Sequence, residues 1–297
     1  MNIKNIAISL ILIVSFLLSG SGAIAKTLIK GIYINQSTAE NAKYLSSLIE
    51  KSKRAGINTF VIDLERTNPA YVRNIALVKN NGIKYVARIV IFPGGGNDSQ
   101  VKSQSYWEKR YKLVNAAMDL GASEIQLDYI RYTHQRAASA QNSKDVHEVI
   151  KWFKNKVAQR GVPLQIDVFG IASFGESKHI GQNLVLFSNT VDAMSPMLYP
   201  SHFEPYKMHA KQPYKTVHTA LMGIRKQFNN QPLPFKLVPY IELSNYRYPL
   251  STSQKVQYIK DQIRASEDAQ ADGWYFWSAG NVYQNLFDVL SVKSHQQ

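Results

Sequence analysis

The chain has 297 residues, 45% of them hydrophobic, 11% aromatic and 19% charged. That is the composition of a folded globular protein, and it excludes a disordered or fibrous chain. The 35 Lys and Arg against 21 Asp and Glu give a formal charge of +14, which favours anionic partners, and the lack of Cys excludes disulfides, thiolate nucleophiles and Cys-held metal sites.

Residues 1–25 read as a secretory signal, with Lys4 before an apolar run from Ile6 to Leu18 and Ala23-Ile24-Ala25 as the cleavage site. The run is too short to cross a bilayer comfortably as a helix. The expectation is an exported protein, periplasmic or secreted, whose mature form Lys26–Gln297 carries no membrane-spanning segment. A monomer is expected.

Eight short runs have strand character: Leu28–Ile34, Thr59–Leu64, Tyr85–Phe92, Glu124–Ile130, Pro163–Phe169, Val191–Leu198, Phe235–Ile241 and Gly273–Trp277. Helical patterns lie between them at Ala39–Ala55, Ala70–Asn80, Tyr106–Leu120, Lys144–Arg160, Tyr214–Phe228 and Thr252–Ala269. The connection from Ala172 to Asn189 is less clearly helical. Gly56, Gly82, Gly121 and Gly161 stand where left-handed helix caps belong. Eight β units alternating with helices and no linker predict a single (β/α)8 barrel over residues 26–297. No G-x-G-x-x-G follows the first strand and no P-loop is present, so no nucleotide cofactor is expected.

Barrel enzymes gather their chemistry at the C-terminal strand ends, so inward-facing polar residues there are the candidates. Alternation along Glu124–Ile130 puts Ile125, Leu127 and Tyr129 towards the helices and turns Gln126 and Asp128 inward. The fifth run repeats the pattern with Gln165 and Asp167. Asp63 and Glu65 share a face at the end of the second run, and Glu242 ends the seventh. Buried carboxylates need partners, and a structural ion network with Arg88, Arg131 and Lys84 is the bland alternative to catalysis. Trp277, followed by Ser278-Ala279-Gly280-Asn281, is a candidate platform for a sugar face, whereas Tyr275 and Phe276 read as core. Tyr199 and His202 end the sixth run. The seven His show no metal spacing, so no metal is expected.

Glu124-Ile125-Gln126-Leu127-Asp128-Tyr129-Ile130-Arg131-Tyr132, Asp167-Val168-Phe169-Gly170, Gly181-Gln182 and Ser195-Pro196-Met197-Leu198-Tyr199-Pro200-Ser201-His202 occur in order. Together they resemble a bacterial family of exported, glycoside-hydrolase-like TIM barrels, a domain-of-unknown-function family, from about Ile29 to Tyr283. The sequence departs from that family's pattern at Asp63-Leu64-Glu65-Arg66, at Pro239-Tyr240-Ile241-Glu242 and between Phe203 and Gln212. The resemblance implies a glycosidase that cleaves a polysaccharide or cell-wall-type glycan with two carboxylates. Asp128 is then the candidate nucleophile or base, held ionised by Arg131 or Arg88, and Asp167 the candidate acid, with Glu242 and Glu65 in reserve. Asp63, Arg88, Arg131, Tyr199, His202, Trp277 and Asn281 are the candidate substrate contacts. The alternative is a glycan-binding protein that kept the barrel and lost turnover. Nucleic acid is not expected, because the cations are dispersed over helix faces with no basic run beyond Lys51-Ser52-Lys53-Arg54.

Overall fold

A computed structural model describes residues 27–293. Residues 1–25, expected from the sequence to be a secretory signal, lie outside the described residues. Nine strands alternate with helices: β1 (Ile29–Ile34), β2 (Thr59–Asp63), β3 (Lys84–Val90), β4 (Glu124–Asp128), β5 (Leu164–Phe169), β6 (Ala193–Met197), β7 (Lys236–Leu237), β8 (Tyr240–Glu242) and β9 (Gly273–Trp277). Every pairing is parallel, and the ring closes through β5–β6 on one side and β1–β9 on the other. β7 and β8 together occupy the seventh position, where one continuous strand was expected. Pro239 lies at the break, and its ring nitrogen has no proton to give a ladder. The result is a closed single (β/α)8 barrel.

Two apolar layers hold it together. Ile125, Leu127, Leu164, Ile166 and Val168 pack outward against the helices, as alternation predicts. A smaller cluster with Val61, Val86 and Val238 fills the interior. The helices begin close to where the pattern puts them, and Asn or Ser caps most of them, as at Asn68 and Ser251. The first helix breaks at Asn41, whose side chain accepts from the Tyr44 amide and starts a second helix, Ala42–Arg54. Between β5 and β6 stand only the 3-10 turn Gly170–Phe174 and the short helix Leu184–Phe187. The four glycines expected as caps all have positive φ, between 67° and 76°.

Gly273 closes the barrel. It has φ of 147°, and a Cβ there would overlap the Ile29 carbonyl across the β1–β9 pairing. Gly273→Ala must displace backbone rather than a flexible side chain. It is expected to destabilise by several kcal/mol, measured as a fall in the urea midpoint. An unchanged midpoint would show that this seam can give.

Candidate functional site

The barrel interior is polar in two tiers. In the lower one, the Gln126 amide donates to Gln165 Oε1 (3.0 Å) and the Tyr240 hydroxyl to Gln126 Oε1 (2.7 Å), while Gln165 donates to Glu124. These buried groups satisfy one another, as a fixed interior requires.

The upper tier is built on Arg88. Strand register sets Asp63 opposite Arg88 on neighbouring strands. The guanidinium donates through Nη1 to Asp63 and through Nη2 to Asp128, and Nε lies 3.5 Å from Asp167. Three carboxylates thus converge on one cation. Burial and the neighbouring Asp128 charge push the Asp167 carboxyl well above the usual carboxylate range. Asp128 is fixed on its other oxygen by the Tyr129 amide (2.5 Å), and Asp63 by the Tyr33 hydroxyl (2.5 Å). Among the described residues, no group of three or more His, Asp or Glu is arranged to hold a metal ion.

Above this tier opens a cavity of about 960 Å³ at the C-terminal strand ends. Arg88, Asp128, Tyr199, His202, Glu242 and Trp277 all line it. Trp277 stacks on Tyr33 with ring centres 4.0 Å apart. Glu242, at the end of β8, sits among neutral donors: the Ser201 amide (2.9 Å), the Ser201 hydroxyl (2.6 Å) and the Tyr258 hydroxyl (2.5 Å). Those donors favour its charged form, but burial outweighs them and pushes the carboxyl up to about 6.

Several expected site residues lie elsewhere. Asp167 and Asp63 are buried and do not belong to the cavity lining, although Asp128, which does, is no more exposed than either. Glu65 is exposed beyond the end of β2, where strand alternation no longer sets its direction, and it does not line the cavity. Arg131 does not pair with Asp128. Its Nη1 donates to the Tyr132 carbonyl (2.7 Å), and its guanidinium packs over the rings of Phe169 and Tyr129. Asn281 is fully buried, accepting from the Asn35 amide (2.9 Å) and donating to the carbonyls of Tyr33 (3.1 Å) and Ser278 (2.9 Å), so it ties the β9 loop to β1 and is not part of the cavity lining. Lys84 is exposed and takes no part in the ion network. Tyr129 has φ of 51°, which turns it out of the strand into the cavity wall instead of towards the helices. Tyr33, Ser201 and Tyr258 also belong to the site, through their bonds to Asp63 and Glu242. Alternation could have placed Tyr33 inward on β1, but nothing local points Tyr258, on a helix, at Glu242.

Fold and site together define a TIM barrel with an acidic and aromatic cavity at its catalytic face. The chain belongs to the family described as "Putative glycosyl hydrolase domain" (DUF4015), whose model matches residues 97–283. That match begins later than the Ile29 expected from the motifs, and Asp63 and Arg88 precede it. No curated protein matches the sequence. Among solved structures, the spore cortex-lytic enzyme SleL of Bacillus cereus superposes with a TM-score of 0.64 at 10% identity, covering 89% of this chain and 74% of its own. An endo-1,4-β-mannanase from Rhizomucor miehei gives 0.66 at 11%, covering 90% and 93%. A chitinase from Chromobacterium violaceum gives 0.62 at 12%, covering 91% and 100%. At these identities the likeness is one of fold.

Proposed function

We propose that the protein is an exported, monomeric glycosidase that hydrolyses a polysaccharide or cell-wall-type glycan with Asp128 and Glu242. One observation carries the pairing: of the four candidate carboxylates, these two line the cavity, and their environments are opposite. Asp128 lies against a guanidinium. Glu242 is surrounded by uncharged groups and holds its proton to about pH 6. Carboxyls in contrasting environments are how such sites divide acid from base. Glu242 would give its proton to the glycosidic oxygen as the C–O bond breaks. Asp128 would meet the developing positive charge at the anomeric carbon, as nucleophile or as base to a water. Trp277 on Tyr33 would offer a flat face to a sugar ring.

The test counts new reducing ends from a panel of bacterial, plant and acidic glycans. Wild type is expected to release them. Asp128→Asn is expected to lose activity by roughly 10²–10⁴-fold. Asp167→Asn, which keeps the size of a protonated carboxyl, is expected to lose less than tenfold. A collapse in Asp167→Asn with Glu242→Gln still active would return the acid role to Asp167.

A second reading, a glycan-binding protein without turnover, is favoured by how fully the two carboxylates are engaged. Glu242 accepts three hydrogen bonds, and both oxygens of Asp128 have donors. It predicts unchanged binding in Asp128→Asn and no new reducing ends from any glycan.

A further inference from the structure

Beyond the candidate catalytic pair, rings continue along one wall of the cavity to its mouth. Tyr199 lies 6.3 Å from Trp277, His202 5.1 Å from Tyr199, and Tyr246 5.8 Å from His202, measured between ring centres. Tyr199, His202, Tyr246 and Trp277 all face the cavity. Tyr246 is 63% exposed, so its ring adds little to the packing of the fold. At the outer end the Arg247 guanidinium lies over the rings of Tyr206 (4.4 Å) and Tyr246 (5.4 Å). It is exposed just outside the cavity lining and makes no salt bridge within 4 Å among the described residues, although Glu204, which does line the cavity, is close enough to act on its charge. The nearby Glu204 carboxylate accepts instead from the Tyr206 hydroxyl (2.7 Å). Arg247 is close enough to His202 for its charge to help burial lower that imidazole's pKa.

We propose that Tyr246, His202 and Arg247 form a distal subsite for a carboxylate-bearing sugar ring, displaced along the glycan from the bond held between Asp128 and Glu242. The proposal rests on the glycan reading of the cavity and adds the charge class of the ligand. Small-ligand pockets run to about 1,000 Å³, and this one, at about 960 Å³, has room for more than one ring. An exposed aromatic offers its face to a pyranose. A guanidinium lying over tyrosine rings presents a planar fork that matches a carboxylate in two hydrogen bonds. A neutral chain could stack on Tyr246 but would leave Arg247 unused.

The test embeds polygalacturonate, or the same polymer fully methyl-esterified, in native gels and measures retardation of Lys26–Gln297. The two polymers share a backbone and differ in charge. Wild type is expected to bind the acid form at least tenfold more tightly than the ester. Arg247→Gln is expected to bring the acid form down to the level of the ester, and Tyr246→Ala to weaken both. Lys112→Gln, which removes the same charge from an outer helix, is expected to change neither. Equal binding of acid and ester by wild type, equal effects of Arg247→Gln and Lys112→Gln, or no retardation by either polymer would each overturn the subsite. Retardation in the expected pattern without new reducing ends would retire the hydrolase and leave the subsite standing.

Discussion

Arg88→Met is expected to destabilise the protein by about 3–5 kcal/mol at pH 7, the usual effect of removing one partner from a buried ion pair. The side chain is nearly inaccessible, and each of its three nitrogens faces a different carboxylate. Without it, Asp63, Asp128 and Asp167 share a desolvated space with no cation, and the Asp167 carboxyl, already pushed up by burial and held back by Arg88, must rise further. A carboxyl whose folded pKa exceeds its unfolded one binds more protons when folded, so it destabilises above its unfolded pKa and stops doing so below it. The deficit of Arg88→Met should therefore shrink from pH 7 towards pH 4. Urea unfolding of wild type and variant at both pH values measures it. A deficit that is constant with pH would assign the loss to packing. Arg88→Lys should recover only part of the stability, because an ammonium on a single stem cannot match three acceptors set around a planar fork.

This network shows what could be read in the sequence. Inward placement of Gln126, Asp128, Gln165 and Asp167 follows from alternation, because the period of two is fixed wherever one face packs on helices. The eight β units and the glycine-capped helices follow from the same kind of local rule. What local rules do not carry is depth and direction at the rim. Asp128 belongs to the cavity lining and Asp167 does not, though both complete the same Gln-x-Asp pattern and both are almost fully buried. Glu65 lies past the last strand residue, where alternation has lost its meaning. The Glu242 environment is assembled from Ser201 and Tyr258, 41 and 16 residues away in the chain. Asn281 looked like a rim residue because it follows Trp277, but the barrel closure uses its amide for backbone groups.

The contrast between Glu242 and Asp128 leads to the second large effect. If Glu242 is the acid, kcat/KM should fall above about pH 6, by tenfold per unit once the group has lost its proton. Glu242→Gln keeps the shape of the side chain but has no proton to give. It is expected to lose roughly 10²–10⁴-fold in kcat on substrates with poor leaving groups, and to lose the alkaline limb with it. An aryl glycoside whose phenolate leaves without protonation should be spared most of that loss, which separates a missing acid from a damaged fold. The limb should also be movable. Ser201 donates to Glu242 through its hydroxyl, and that bond favours the carboxylate. Ser201→Ala removes it, so the Glu242 carboxyl should hold its proton to higher pH and the alkaline limb should shift upward while the rate at pH 5 changes little. A limb that stays where it is in Ser201→Ala, or survives intact in Glu242→Gln, would show that another group sets it and would take the acid role away from Glu242.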